Sequence, residues 1–284
     1  MAHLEYAGTG SAAETESDAL AAFHRPTAQN RLYRVLPMLI VLTALLLWEW
    51  SARAGLTSAL FFPAPSTIAI TLEGLLMRGS LLQDIGVTVY RVAIGLLIGG
   101  TAGIVLGMLM GWSARVRMVA EPFVAGLHPI PKSALLPLLL ILMGIGDRPR
   151  LALIALAAFF PLVVNTMNSV RSIEPAHLEA AANYGARGFR LFRRVVVPAS
   201  LPGMLTGGRI AVNTAMTIAI TTELLTSRDG LGARIWMASE TMRTENLYAV
   251  LFVIAVIGLA INWLLLSLTR RLMPWDVTLP VTEQ

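Results

Sequence analysis

The chain has 284 residues and a formal net charge of +5, with 56% hydrophobic and only 14% charged residues. Soluble domains carry roughly 25% charged residues, so the composition excludes an ordinary water-soluble domain. The absence of cysteine excludes disulfides, thiolate metal sites and cysteine nucleophiles. The arginines stand mainly beside apolar runs, which membrane topology explains better than nucleic-acid binding does.

The N-terminal residues form a polar stretch that predicts a disordered cytoplasmic tail over residues 1–34. Acidic side chains precede Arg25, and the first apolar run begins too late for a cleaved signal peptide. A transmembrane domain is predicted over residues 35–272 and a short cytoplasmic tail over residues 273–284.

Six apolar segments approach or exceed the length of about 20 residues that a membrane-spanning helix needs. The predicted fold class is therefore an all-α membrane protein with about six transmembrane helices. Pro63 and Pro65 break the chain after the first segment, and a mildly amphipathic stretch follows over residues 67–77. The six segments cover residues 36–50, 87–110, 119–145, 151–170, 201–225 and 249–268.

The second segment carries glycine at every fourth position, which places small residues on one helical face. Such a stripe lets a neighbouring helix approach closely. Ordinary helix packing is the favoured interpretation, with a substrate-facing surface as the alternative. The stripe consists of Gly95, Gly99, Gly103, Gly107 and Gly111.

The third segment contains Pro129, Pro131 and Pro137. It is either one broken span or a short helix followed by a second segment. Irregular backbone at membrane depth survives only where protein or a water-filled cavity covers it. The break is therefore either part of a transport pathway or a simple kink.

Arginine placement predicts the orientation of the bundle. Thirteen arginines lie in the tails and in the loops on the side of residues 171–209, and eight lie in the opposite segments. Because cytoplasmic loops are enriched in basic residues, both termini and the loop of residues 172–200 are predicted to be cytoplasmic.

This loop has a recognisable local pattern. Pro175 suits the first turn of a helix, and Gly185 suits the left-handed position after its end. A second short helix over residues 189–197 is predicted to end at Pro198, with Pro202 in the first turn of the fifth span. The alternative is an amphipathic helix that lies on lipid.

The spacing Glu179-Ala180-Ala181, three residues, Gly185, nine residues, Val195-x-Val197-Pro198 resembles the EAA loop of permease subunits of binding-protein-dependent ABC importers. The resemblance covers roughly residues 60–272. Within the superfamily, these residues are similar to the nitrate/sulfonate/taurine branch. The further matching segments are Phe62-Pro63-Ala64-Pro65, Thr88-Val89-Tyr90-Arg91-Val92, Ile130-Pro131, Leu136-Pro137, Gly144-Ile145-Gly146 and Gly230-Leu231-Gly232.

The resemblance implies a type I ABC importer permease fold in the bacterial inner membrane and transport by alternating access. It implies four kinds of partner: a second permease copy, two cytoplasmic ATP-binding subunits, an extracytoplasmic binding protein and membrane lipid. The substrate would be a small anion of the nitrate, sulfonate or taurine kind. The residues that would couple the chain to the ATPase are Glu179, Ala180, Ala181, Gly185 and Pro198.

The chain lacks the G-x-x-x-x-G-K-[ST] sequence of a phosphate-binding loop. ATP and magnesium are therefore expected on a partner subunit, with no cofactor in this chain. The four histidines have no metal-ligand spacing, and no nucleophile arrangement is present. The chain is predicted not to be an enzyme, with no catalytic or metal site and no nucleic-acid partner.

Polar residues within the spans are candidates for the substrate pathway, with interhelical hydrogen bonding as an equal alternative. Glu223 is interpreted as a gate or ion-pair residue rather than an anion ligand. Arg91 and Arg209 are predicted to extend towards a membrane interface. The pathway candidates are Asn165, Asn168, Asn213, Thr217, Thr221 and Glu223.

Two other functions remain open at this point. A secondary transporter would need internal repeats and ion-coupling residues at mid-membrane, and no second copy of any segment is evident. A membrane scaffold protein would not need the proline-broken segment or the spacing that begins at Glu179.

Overall fold

A computed structural model describes residues 29–226 and 228–273 of the chain. The described residues are almost entirely helical and contain no strand. They divide into two compact units at the junction of Ser66 and Thr67. Residues 1–28 of the predicted N-terminal tail and residues 274–284 of the C-terminal tail lie outside the described residues.

The first unit consists mainly of one long helix, α1 (Gln29–Arg53), which begins six residues inside the predicted tail. Its part Val35–Arg53 is long and apolar enough to cross a membrane. Glu49, near its end, accepts hydrogen bonds from the Ser66 backbone amide at 3.0 Å and from the Ser66 hydroxyl at 2.8 Å. The acidic residue in an apolar span therefore fixes the start of the next helix, α2 (Pro65–Met77).

The second unit contains four further helices of spanning length or nearly so, with shorter elements between them. In chain order they are α3 (Ser80–Trp112), α4 (Ala114–Leu127), a 3₁₀ turn (Lys132–Leu135), α5 (Leu136–Met143), α6 (Asp147–Arg171), α7 (Pro175–Asn183), α8 (Phe189–Leu191), a π-helical turn (Phe192–Val196), α9 (Val197–Thr226), α10 (Leu231–Glu240) and α11 (Thr244–Leu272).

The glycine stripe of α3 packs directly against the backbone of α6. A Cβ atom added at Gly103 would lie 2.7 Å from the Phe159 carbonyl oxygen, and one at Gly107 would lie 2.7 Å from the Val163 carbonyl oxygen. These distances leave no room for a side chain. The predicted packing role of the stripe is confirmed.

Replacing Gly99 with valine is expected to force α3 and α6 apart, because a Cβ atom there would overlap the backbone of Ala155. Overpacking costs about 1–3 kcal/mol, which corresponds to a fall of about 2–12 °C in melting temperature. Thermal unfolding of the detergent-solubilised chain measures this fall. Gly86→Val on the same helix is the control, since no atom lies within 4 Å of its added Cβ, and an equal fall there would contradict the explanation.

The direction of the helices resolves the nature of the third span. Gly95 lies against Ile154 and Gly111 lies against Val170, so α3 and α6 run parallel. The intervening α4 and α5, bent by 88° at their junction, must therefore carry the chain from the end of α3 back towards the start of α3, near which α6 begins. They form one broken span.

The remaining spans alternate in direction. Gly203 packs on Ser169 and Gly207 on Asn165, so α9 is antiparallel to α6. The N-terminal half of α11 joins the core near Leu81 and Ala219 through Val250 and Val253. The end of α11, with Arg270 and Arg271, therefore lies at the same end of this unit as α7.

The prediction that Pro198 ends a second short helix is wrong. The helical chain continues from Phe189 to Thr226, with Pro198 and Pro202 inside it. Proline lacks an N–H group and its ring crowds the carbonyl four residues earlier. The π-helical turn Phe192–Val196 widens the backbone just before Pro198, which relieves that conflict without ending the helix.

Candidate functional site

The first candidate site is the loop around α7, at the end of the unit where α6 finishes and α9 begins. Pro175 occupies the first turn of α7 behind Glu174, whose backbone is extended. Gly185 follows the helix at φ +82°. The Gly185 amide donates to the Ala182 carbonyl and the Ala186 amide to the Ala181 carbonyl, both at 3.0 Å. This pair of bonds is a Schellman motif, so the predicted helix start and left-handed glycine are confirmed.

One face of α7 rests on the bundle and the other is free. Leu178 packs with Met108, Val170 and Val196, which come from α3, α6 and the π-helical turn. Ala181 is half-buried. Glu179 and Ala180 are exposed on the opposite face, as is Gly185 at its end. The helix is therefore held by three elements of the bundle while a carboxylate and a small side chain point outward.

Exposed aromatic and basic side chains follow α7 along the chain. Tyr184 is 94% exposed and Phe189 is 76% exposed, although both are large apolar rings. The Phe192 ring makes an edge contact with Trp112 at 5.5 Å between centroids, which fixes the π-helical turn to the end of α3. Pro198 is half-buried in the first turn of α9. The nearby arginines Arg187, Arg190, Arg193 and Arg194 are exposed.

The predicted pathway residues separate into two groups on α9. Asn213, Thr217 and Thr221 lie four residues apart along one face, where the first two are exposed and Thr221 is half-buried. Each threonine hydroxyl donates to the carbonyl one turn earlier, at 2.9 and 2.8 Å respectively. Glu223 lies on another face and is completely buried.

The two predicted asparagines of α6 also separate. The Asn165 side chain donates to the Pro161 carbonyl at 2.8 Å and packs against Gly207, in the contact between α6 and α9. Asn168, nearly one turn later, is exposed.

Glu223 belongs to a second candidate site, a buried charge cluster. It lies where α6 begins and α9 finishes, at the end of the bundle opposite to α7. The Glu223 carboxylate pairs with Arg91 of α3 at 3.0 Å. Arg91 also pairs with Asp147 and Asp229, each at 2.7 Å. The Arg91 side chain is 1% exposed, so the prediction that it extends to a membrane interface is wrong. Burial of a guanidinium requires paired carboxylates, and three are present.

The same cluster holds the start of α10. The amides of Gly230, Leu231 and Gly232 donate to Asp84, Thr88 and Glu223 at 2.9, 2.9 and 3.1 Å respectively. The first amides of a helix have no partner within it. Side chains from α3 and α9 supply these partners.

The turn and its flanking arginines complete this arrangement. A Cβ atom at Gly230 would lie within 2.7 Å of the Glu223 carboxylate, so only glycine allows this approach. Arg234 of α10 pairs with Asp84. Arg150 donates to the Thr226 carbonyl at 2.6 Å. The cluster thus joins four elements, α3, α6, α9 and α10.

The sequence contained a partial signal for this cluster. An arginine and a glutamate inside apolar spans are costly unless paired, so Arg91 and Glu223 each required a partner. Their separation of 132 residues along the chain left the identity of that partner open until the helices were placed.

The fold defines a class of protein: a polytopic helical membrane subunit with one broken span and a short helix displayed outside the bundle. The chain belongs to the family of binding-protein-dependent transport system inner membrane components, whose profile matches residues 87–275. The predicted identity as a permease of a binding-protein-dependent importer is confirmed.

Named relatives share this family over most of their length. The aliphatic sulfonates transport permease protein SsuC of Bacillus subtilis (strain 168) is 30% identical over 84% of this chain and 86% of its own. The taurine transport system permease protein TauC of Escherichia coli (strain K12) is 32% identical over 81% of this chain and 86% of its own.

A solved structure shows the same fold. A chain of the MetNI methionine ABC transporter superposes with a TM-score of 0.58 and 18% identity, covering 71% of this chain and 98% of that chain. The predicted all-α ABC importer permease fold is confirmed.

Proposed function

We propose that this chain works as a pair of permease subunits, with two cytoplasmic ATPases that drive import through α7. The observation that carries the proposal is the geometry of α7, which is fixed to the bundle through Leu178 and presents Glu179 and Ala180 outward. ATP and magnesium are assigned to the partner, because this chain has no phosphate-binding loop. The permease itself catalyses no reaction.

The exposed chemistry of α7 favours a protein partner over a lipid surface. A helix that lies on lipid presents large apolar side chains on its buried face. Apart from Pro175 in its first turn, the exposed α7 residues are small, polar or charged: Ala176, His177, Glu179, Ala180 and Asn183. Beyond the helix, Tyr184 is an exposed aromatic of the kind that anchors protein interfaces.

The substrate pathway is proposed to run along the face of α9 that carries Asn213, Thr217 and Thr221. This face is open in a single chain, so a second copy could enclose a polar passage between two such stripes. Asn165 and Asn168 are retained as candidates of lower rank, because the first is used in packing against Gly207. Glu223 is assigned to holding the bundle rather than to the passage.

The substrate is proposed to be a small sulfonate or a similar anion, delivered by an extracytoplasmic binding protein. The support is the identity of about one third with permeases that are named for aliphatic sulfonates and for taurine. Both termini are assigned to the cytoplasmic side of the inner membrane, because the basic residues concentrate in the tails and in the loops on the side of residues 171–209.

Uptake of radiolabelled taurine and of a short alkanesulfonate tests the proposal in cells that carry the permease, the ATPase and the binding protein. We expect uptake by the complete system, and loss to background when the phosphate-binding lysine of the ATPase is replaced. Collapse of the membrane potential with ATP maintained is the control and should leave uptake unchanged. Uptake that survives the ATPase substitution but fails without the potential would identify a secondary transporter instead.

A further inference from the structure

The only lysine of the chain, Lys132, stands at the break between α4 and α5. It begins the 3₁₀ turn Lys132–Leu135, which packs against α6 and α9. Its ammonium donates to the His128 carbonyl and lies 4.9 Å from the centre of the Phe160 ring. Among the described residues, no carboxylate forms an ion pair with it.

The depth of Lys132 follows from the position of Phe160 on α6. Phe160 is thirteen residues from Asp147 and eleven from Arg171, the two ends of this 25-residue helix. At about 1.5 Å per residue, Phe160 is roughly 20 and 17 Å from those ends. Lys132 therefore lies near the middle of the span, where an unpaired cation is costly and marks a functional site.

The surroundings of Lys132 leave it accessible from one side. The segment His128–Pro131 is exposed, as is Ala134 in the turn itself. A cavity of about 60 Å³ adjoins Lys132, enough for one or two water molecules. The cavity is lined by Leu127, Ile130, Lys132, Leu135, Leu156 and Phe160.

The proposed pathway on α9 passes at the same depth. Gly207 lies opposite Pro161 and Asn165, and α9 is antiparallel to α6. Asn213, six residues further on, is therefore within about one helical turn, or roughly 5 Å, of the level of Phe160. Lys132 and the polar stripe of α9 lie at one level of the bundle.

We propose that Lys132 is an anion-binding residue at mid-membrane, which holds the oxyanion head of a sulfonate, or of a chemically similar small anion, as it crosses. Its charge has a cation–π contact and one carbonyl acceptor, neither of which neutralises it, so an anion supplies the missing counter-charge. The inference rests on the proposed import of an anion and assigns the residue that recognises it.

The absence of native cysteine allows a direct binding test. Ala134→Cys places a single thiol on the exposed side of the turn, and the rate of its labelling by neutral N-ethylmaleimide is followed on the permease in the assembled complex in nanodiscs. Methanesulfonate at 100 mM is the probe and chloride at equal ionic strength is the reference. We expect methanesulfonate to slow labelling about fivefold when Lys132 is intact, to retain this effect with Lys132→Arg, and to lose it with Lys132→Met.

Ile141→Cys on α5, an exposed position nine residues after Lys132, is the matched control and should show no protection. Absence of protection relative to chloride in Ala134→Cys with Lys132 intact overturns the inference without any lysine variant. Protection that persists in Lys132→Met also overturns it. If the complete system takes up no sulfonate but Lys132-dependent protection is present, the assigned substrate is wrong and the anion site stands.

Discussion

Replacing Arg91 with methionine is expected to destabilise the permease by about 3–5 kcal/mol, because it leaves the buried Glu223 without its cation. Glu223 is completely buried and would keep the Thr88 hydroxyl and the Gly232 amide, which are neutral partners. Asp147 and Asp229 are about half exposed and can return to water. The expected loss of stability therefore comes mainly from the unpaired charge of Glu223. Thermal unfolding and the yield of assembled complex measure it.

A double replacement measures the interaction between Arg91 and Glu223 separately from the other contacts of each residue. Arg91→Met with Glu223→Leu removes both charges and is expected to be more stable than Arg91→Met alone, since an apolar pair can replace a buried ion pair at little cost. The coupling energy from the double-mutant cycle should exceed about 1 kcal/mol. Arg228→Met, at an exposed arginine close to the cluster in sequence, is the control. Additive effects at Arg91 and Glu223 would contradict the direct pairing.

The Arg91 cluster also links the stability of the bundle to the placement of α10. Glu223, Thr88 and Asp84 accept the first three amides of that region, and Arg91 orients Glu223. A weakened cluster should therefore loosen α10 before the rest of the bundle. Amide hydrogen exchange in Arg91→Met is expected to rise first at residues 230–234.

Much of the fold was predictable because it depends on local sequence. The length of each apolar segment determined which helices can span, and the four-residue spacing from Gly95 to Gly111 determined which face packs closely. Gly185 could be placed because a helix end followed by positive φ favours glycine regardless of the rest of the fold. These features require no knowledge of distant residues.

The parts that sequence reasoning missed depend on tertiary contacts. The partners of Arg91 are 56, 132 and 138 residues away along the chain, so no local pattern joins them. Pro198 indicated a helix end, and only the π-helical turn before it allows the helix to continue. The depth of Lys132 depends on the bend between α4 and α5, which the prolines indicated but whose angle they did not fix.

Replacing Ala180 with arginine is expected to abolish transport while leaving the permease folded. Ala180 is exposed on the outer face of α7, so the new side chain meets no neighbour within the described part of the chain. In the complex proposed above it would enter the contact with the ATPase, where small side chains permit close approach and a bulky charge prevents it. A tenfold loss of docking needs only about 1.4 kcal/mol, which steric overlap readily exceeds. Uptake should fall to background.

Two measurements distinguish this outcome from misfolding. The melting temperature of Ala180→Arg should match that of the unmodified permease, and co-purification of the ATPase should fall at least about tenfold. Ala114→Arg is the matched control, since Ala114 is an exposed alanine at the same end of the bundle but outside α7. Normal ATPase retention and normal uptake in Ala180→Arg would remove α7 as the coupling element. Loss of both in Ala180→Arg and retention of both in Ala114→Arg would locate force transfer at Glu179–Gly185, where the Schellman turn fixes a helix that the bundle supports from behind.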